Sequence, residues 1–231
     1  MSAPRHFEVD PNVMAALRPM QARDAPSVAA LHHAAMGESL WAQLGVGFLT
    51  QLYRNLLDSE GFIAFVYEAD HKVGVQGFIA GATDPDRVMA TTFRRAWFLL
   101  GPAAFPAGLR PRVLRRLVHT ARYASASRVA GLPSGPLPES LFCSFAPELR
   151  GKRIAGHANK ALFDDLLSRG YGHVKITTDT SNSAAARQLR SWGFDAVGGF
   201  EFYGKPMMAW LLDLQTSPRV EPVGRHPMLE R

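Results

Sequence analysis

Apolar residues form short runs separated by polar or glycine-containing breaks, and seven of these runs have the length and composition of β-strands. The mostly apolar run 141–145 predicts a buried strand. The two runs on either side of Asp70-His71 predict a β-hairpin, and a second hairpin is predicted across Gly204. The predicted strands lie at 13–20, 61–69, 72–82, 141–145, 173–180, 194–203 and 205–214.

Apolar positions recur at helical spacing between several of these strands. Asp24 is a suitable N-cap for a helix that continues to about Ala35, with Pro26 in its first turn. A second helix is predicted over 47–58, because its apolar residues share one face. The remaining helices are predicted in two pieces of 86–128, at about 154–168 and at 183–192.

The order of these elements indicates the fold class. Strands and helices alternate in the second half of the chain, which favours an α/β fold with locally parallel strands, and the two hairpins add antiparallel strands. We therefore predict an α/β protein with a mixed, mostly antiparallel central sheet and flanking helices. A single domain is predicted over 1–214, with a helical basic insertion at about 86–135 and a disordered tail at 215–231.

Positive charge is concentrated in the predicted insertion. Nine arginines and no acidic residue lie between Arg87 and Arg128, whereas the whole chain has a net charge of +6. The solvated face of an amphipathic helix explains this pattern, and so does a lid over an anionic substrate or a contact with an anionic membrane surface. Nucleic acid is disfavoured, because no aromatic stacking pattern accompanies the arginines.

The composition also limits the cellular setting. No apolar run approaches the roughly 20 residues of a membrane span, and the N-terminal sequence lacks the apolar core of a signal peptide. The only cysteine is Cys143, which excludes an internal disulfide. We therefore expect a cytoplasmic protein. The adjacent His32 and His33 face different sides of a helix, so no metal site is predicted.

The segment 141–162 has the arrangement of an anion site. Ala146-Pro147 ends the predicted strand, and Arg150-Gly151-Lys152-Arg153 then opens a helix. The first turn of a helix has free N–H groups and a partial positive charge, and three cationic side chains strengthen its attraction for a phosphate. The sequence therefore predicts a phosphate or pyrophosphate site at this turn.

This segment, taken with Asn182, Ala185 and Gly193-Phe194, resembles the GNAT superfamily of acetyl-CoA-dependent N-acetyltransferases. The family's pyrophosphate motif is Gln/Arg-x-x-Gly-x-Gly/Ala, and the chain reads Arg-Gly-Lys-Arg-Ile-Ala over 150–155, so Arg153 stands in place of a glycine. The resemblance covers about 12–214. It implies the GNAT fold, in which the parallel strands 141–145 and 173–180 splay apart and admit the pantetheine arm of the coenzyme.

The resemblance also implies which residues bind acetyl-CoA, the expected co-substrate. Backbone N–H groups of the loop hold the pyrophosphate, main chain near Phe145 pairs with the pantetheine, and Asn182 and Ala185 lie beside it. Asn182 is equally suited to cap the following helix. The predicted coenzyme-binding residues are Phe145, Arg150, Gly151, Lys152, Arg153, Ile154, Ala155, Gly156, Asn182 and Ala185.

The catalytic residues are less clearly indicated. Many GNAT relatives carry a tyrosine seven residues after the asparagine, as the acid for the departing thiolate, but this chain has Leu189 there. Glu38 and Asp179 are the carboxylates predicted to take a proton from the amine, and Tyr203 is an alternative acid. A turn or cap role explains Asp179 equally well.

These features predict an N-acetyltransferase that moves an acetyl group from acetyl-CoA to the amine of a small molecule, such as an amino sugar or a nucleotide-linked sugar. The amine attacks the thioester directly in a ternary complex. Two alternatives stay open. Leu189 and Arg153 favour a non-catalytic acyl-CoA-binding protein, and the basic insertion favours a peripheral-membrane or nucleic-acid binder. A homodimer is compatible with each of these functions.

Overall fold

The computed structural model describes residues 8–36, 40–71, 73–92, 135–202, 204–217 and 219–220. The strands in these ranges are β1 (Leu17–Pro19), β2 (Phe62–Tyr67), β3 (Gly77–Ala82), β4 (Glu139–Phe145), β5 (His173–Asp179), β6 (Asp195–Phe202) and β7 (Lys205–Asp213). The α-helices with both ends described are α1 (Pro11–Ala15), α2 (Ala25–Ala35), α3 (Leu40–Gln43), α4 (Val46–Leu57), α5 (Ile154–Ser168) and α6 (Ser183–Trp192).

The strands form one sheet in the order β1-β2-β3-β4-β5-β7-β6. Neighbouring strands are antiparallel except β4 and β5, which are parallel. The predicted α/β class with a mixed, mostly antiparallel sheet and flanking helices is therefore confirmed. Both predicted hairpins are also present, although β3 begins only at Gly77 and a loop replaces the first part of its predicted run.

The helices cover both faces of the sheet. Along β2, Ile63 and Phe65 pack in one core cluster, whereas Ala64 and Val66 pack in the other, because side chains alternate along a strand. The first cluster is completed by α5 and α6, and the second by α2 and α4. We call the second side of the sheet the α2–α4 face.

The first predicted strand is partly wrong. Residues 11–15 form α1, and only Leu17–Pro19 is a strand. The Asp10 side chain accepts the N–H groups of Asn12 and Val13, and Pro11 occupies the first turn, so local capping favours a helix where hydrophobicity alone suggests a strand. Asp24 does not cap α2 with its side chain, because its carboxylate is held by Arg18 and the N–H of Gln21.

The first residues of the predicted disordered tail contact the rest of the structure. The Ser217 hydroxyl donates to the carbonyl of Trp192 (3.1 Å), and Val220 packs in the core cluster beside α5 and α6. Residues 215–217 and 219–220 are therefore part of the folded domain. Residues 221–231 lie outside the described residues.

Most of the predicted basic insertion lies outside the described residues. Residues 85–92 are helical, and Arg87 forms an exposed ion pair with Glu60 (3.1 Å). Range 93–134, with the other eight arginines, is not described. Within the described ranges, none of the helices is both long enough and apolar enough to cross a bilayer.

Candidate functional site

The parallel strands β4 and β5 are paired only at their beginnings. Glu139 is opposite Lys175 and Ser140 is opposite Ile176, and no later residues of the two strands pair with each other. Beyond this point β4 remains paired with β3, and β5 remains paired with β7. The facing edges of 141–145 and 177–179 therefore diverge, and we call the space between them the strand gap. Unpaired strand edges present N–H and C=O groups that can bind an extended ligand.

The wide end of the strand gap is formed by Phe145, the last residue of β4. Its ring lies over Gly77, where a Cβ would come within 2.0 Å of the ring. The next residue, Ala146, donates its N–H to the carbonyl of Gln76 (2.8 Å). These contacts hold the end of β4 against β3, so the inner edge near Phe145 faces the gap.

The chain then passes through the short helix Pro147–Leu149 into the segment Arg150-Gly151-Lys152-Arg153, which we call the cationic loop. Gly151 has a φ of 79°, with open space where a side chain would begin. Arg153 has a φ of 59° and is the one non-glycine residue with positive φ in the described ranges. This left-handed conformation is the one that glycine adopts most easily, and Arg153 is the residue that stands where the family motif has a glycine.

The cationic loop is electrostatically suited to an anion. Arg150, Lys152 and Arg153 are exposed, and none of the three forms an ion pair with a residue in the described part of the chain. The first turn of α5 has no acidic residue, and no side chain caps it. Among the described residues, nothing accepts the N–H groups of Ile154 and Ala155. The donors and the helix dipole together fit a phosphate group.

The left-handed conformation of Arg153 makes a stability prediction. Arg153→Gly is expected to raise the free energy of unfolding by about 1 kcal/mol relative to Arg153→Ala, because only glycine adopts this φ without steric strain. Both variants lose the guanidinium group, so the comparison isolates the backbone. Urea denaturation of the two proteins measures the difference, and equal midpoints would contradict the argument.

Asn182 and Ala185 lie together at the start of α6, after the end of β5. The Asn182 side chain accepts the N–H of Ala185 (3.0 Å), which is the predicted capping contact. Leu189, which occupies the usual tyrosine position, is buried in the core. A phenolic acid is therefore absent from that position, and the helix is anchored there by packing.

Asp179 ends β5 and sets the turn into α6. Its carboxylate accepts the N–H (2.8 Å) and the hydroxyl (2.7 Å) of Ser181. These hydrogen bonds hold the pKa of Asp179 below its usual value, which favours an ionised turn residue over an effective base. The other two predicted catalytic residues, Glu38 and Tyr203, lie outside the described residues.

Sequence reasoning missed a charged pair at the narrow end of the strand gap. The Glu139 carboxylate lies 3.0 Å from the Lys175 ammonium group, and both side chains are buried. The Thr177 hydroxyl donates to the same carboxylate (3.3 Å). Glu139 is the register partner of Ala82, which packs on the α2–α4 face, so the carboxylate lies on that face. The sequence signal that could have indicated this pair was a charged residue near the start of each of two neighbouring apolar strands.

A buried histidine on the α2–α4 face was also missed. The His32 Nδ1 atom lies 2.7 Å from the Tyr53 hydroxyl, and the imidazole contacts the rings of Phe78 and Phe142. Burial lowers the pKa of His32 to about 4, so the ring is neutral at pH 7. Phe142 belongs to the divergent part of β4, so the cluster formed by His32 and its aromatic neighbours lies beside the strand gap.

Comparison with known proteins places this architecture in a recognised fold. A protein assigned to the GNAT acetyltransferase family from Desulfovibrio desulfuricans aligns over 86% of this chain and 98% of its own, with a TM-score of 0.54 and 11% identity. A ribosomal-protein-alanine N-acetyltransferase from Brucella melitensis aligns over 85% and 98% (TM-score 0.54, 16% identity). A spermidine/spermine N-acetyltransferase from Vibrio cholerae aligns over 87% and 94% (TM-score 0.52, 14% identity).

The chain has the GNAT fold, as its sequence predicted. The structural likeness is accompanied by little sequence similarity. No protein-family model matches the sequence, and no curated protein matches it at a significant level.

Proposed function

We propose that this protein is an acetyl-CoA-dependent N-acetyltransferase. The observation that carries the proposal is the continuity of the strand gap with the cationic loop. One edge of the gap, at Phe145, leads within a few residues to three exposed cations and to N–H groups at the start of α5 that no described residue accepts. An extended thiol-bearing arm ending in a pyrophosphate has the length and charge for both parts.

The residues present fit the coenzyme. The N–H groups of Ile154 and Ala155, with the side chains of Arg150 and Lys152, would hold the pyrophosphate. The inner edge of β4 near Phe145 would pair with the pantetheine amides. Gly151, Arg153 and Gly156 shape the loop, whereas Asn182 and Ala185 define the far side of the gap.

Glu139 is the described carboxylate best placed to act as a base. It lies where β4 and β5 separate, on the α2–α4 face, so the acceptor amine is proposed to approach from that face. When bound, acetyl-CoA supplies a thioester carbon to which the amine nitrogen bonds while the carbon–sulfur bond breaks and the thiolate leaves. The Glu139 carboxylate accepts the proton that the amine loses, directly or through one water.

The acceptor is proposed to be the amine of a small molecule, with amino sugars and nucleotide-linked sugars as the first candidates. The related structures indicate how widely acceptors vary on this fold, since one is named for a polyamine and another for the alanine of a ribosomal protein. The insertion beyond 92 stays a candidate for recognising an anionic acceptor. Its membrane-binding and nucleic-acid-binding alternatives remain predictions, as does a homodimer.

Coenzyme binding and turnover test the proposal together. We expect isothermal titration calorimetry to show binding of coenzyme A, weakened about 100-fold by the triple variant Arg150→Ala/Lys152→Ala/Arg153→Ala, because each exposed cation contributes about 1 kcal/mol to a phosphate contact. The matched control Arg23→Ala/Arg54→Ala/Arg87→Ala removes the same charge from other elements and should bind within threefold of the unmodified protein.

Turnover is followed as thiol release from acetyl-CoA with a panel of polyamines, amino sugars, nucleotide-linked amino sugars and peptides with a free N-terminus. Release that depends on one amine class supports the enzyme. Tight coenzyme binding with no release in any panel member would favour the non-catalytic acyl-CoA-binding protein. Equal weakening by the two triple variants would contradict the proposed coenzyme site.

A further inference from the structure

One imidazole connects the cationic loop to the N-terminal helix. His157 lies in the first turns of α5 and is 2% exposed. Its Nδ1 atom is 2.9 Å from the carbonyl oxygen of Arg153. Its Nε2 atom accepts the backbone N–H of Asp10 (2.9 Å), the residue whose side chain caps α1.

The hydrogen-bond partners define the state of the ring. A backbone N–H can only donate, so Nε2 must carry a lone pair and no hydrogen. A carbonyl oxygen can only accept, so Nδ1 must carry the hydrogen and donate to Arg153. Both bonds are therefore made only by the neutral imidazole with its hydrogen on Nδ1.

The Arg153 carbonyl is the place where this bond affects the coenzyme site. It also accepts the N–H groups of Gly156 (3.0 Å) and His157 (3.3 Å), so the imidazole adds a third donor. This carbonyl shares its planar peptide unit with the N–H of Ile154, and the two groups point in opposite directions. A donor that holds the carbonyl therefore also fixes the direction of the Ile154 N–H.

The backbone at this peptide needs such support. Arg153 has the left-handed conformation, which is sterically strained for a residue other than glycine. Without the imidazole, only the backbone N–H groups of Gly156 and His157 would remain as donors to this carbonyl, and the Arg153–Ile154 peptide would be held less firmly in this orientation. The imidazole therefore helps to hold a backbone conformation that glycine would adopt without strain.

We propose that His157 is a positioning residue for coenzyme binding: its Nδ1–H holds the Arg153–Ile154 peptide so that the Ile154 N–H faces the phosphate. This inference rests on the proposed function. The second bond, from Asp10 to Nε2, serves a different purpose, because it attaches α1 to α5. Nδ1 therefore has the proposed role in ligand binding, and Nε2 has a role in folding.

Two substitutions divide these roles. In His157→Asn the amide nitrogen takes the place of Nδ1 and can donate to Arg153, but nothing reaches Asp10. In His157→Gln the side-chain oxygen takes the place of Nε2 and can accept from Asp10, but no donor lies at the Nδ1 position. His157→Ala removes both contacts.

The experiment compares coenzyme A affinity by calorimetry, KM and kcat for acetyl-CoA, and the thermal midpoint for the unmodified protein and the three variants. We expect His157→Gln to weaken coenzyme A binding about tenfold and to raise KM similarly with little change in kcat, while His157→Asn stays within threefold. His157→Asn should have the lower thermal midpoint of the two. If His157→Ala does not fold, the comparison of His157→Asn with His157→Gln still tests whether the Nδ1–H bond to Arg153 affects coenzyme binding.

Two results would overturn the inference. One is equal coenzyme affinity in His157→Asn and His157→Gln, which would reduce His157 to a packing residue. The other is affinity that follows the thermal midpoint across the series. Absence of coenzyme A binding by the unmodified protein would instead overturn the proposed function, so the two failures are distinguishable.

Discussion

Glu139→Gln is expected to lower kcat for acetyl transfer by about 100-fold to 10⁴-fold while coenzyme A affinity stays within threefold. The amide keeps the shape of the carboxylate and its contact with Thr177, but it cannot take a proton. Coenzyme affinity should be spared, because the cationic loop lies at the opposite end of the strand gap from Glu139. The measurement is steady-state thiol release with the best amine of the panel.

Two controls sharpen this result. Asp179→Asn changes the other described candidate, and we expect it to lower kcat less than tenfold, since the Asp179 carboxylate is occupied by Ser181. Glu139→Asp keeps a base and should recover part of the activity. Thermal midpoints are measured to check that each variant is folded, because Glu139→Gln leaves the buried Lys175 ammonium group opposite a neutral amide. An unchanged kcat in Glu139→Gln would show that Glu139 is not the base. A larger loss of kcat in Asp179→Asn than in Glu139→Gln would indicate Asp179 instead.

Lys175→Met is expected to lower the free energy of unfolding by about 3–5 kcal/mol, the cost of breaking a buried ion pair from one side. Lys175 and Glu139 are 8% and 2% exposed, so the remaining carboxylate would be left in a poorly hydrated position without its cation. Urea denaturation measures the loss. The matched control, Lys152→Met, removes an exposed lysine and should change stability by less than about 0.5 kcal/mol.

A double variant distinguishes the loss of the pair from the loss of packing. Glu139→Leu/Lys175→Met removes both charges, and we expect it to be more stable than Lys175→Met alone, because no buried charge is left unpaired. Additive destabilisation in the double variant would mean that the two residues act independently.

Local features of the sequence were sufficient to predict most of the helices and strands. The helical spacing of Phe48, Leu49, Leu52 and Leu56 predicted α4 nearly to its ends, because these residues are all buried on one side. Gly193, with a φ of 89°, ends α6 as expected. The error at α1 also had a local cause: the capping contacts of Asp10 outweighed an apolar run in a segment too short to show a clear period.

The candidate site was only partly predictable. The cationic loop could be located in the sequence, because the residues proposed to bind an anion there are neighbours in the chain. Glu139 was not found, because its importance depends on Lys175 and Thr177 from a different strand. The contact that attaches α1 to α5 was not found for the same reason, since Asp10 and His157 are 147 positions apart.

The sequence by itself determined the succession of strands and helices, the GNAT resemblance and the position of the cationic loop. Each of these depends on residues that are neighbours in the chain, through periodicity, capping and glycine conformation. Only the tertiary structure decided where β4 and β5 separate, which carboxylate lies at that point and that an imidazole attaches α1 to α5. These features depend on strand register and on contacts between distant segments, which the packing of the whole sheet sets.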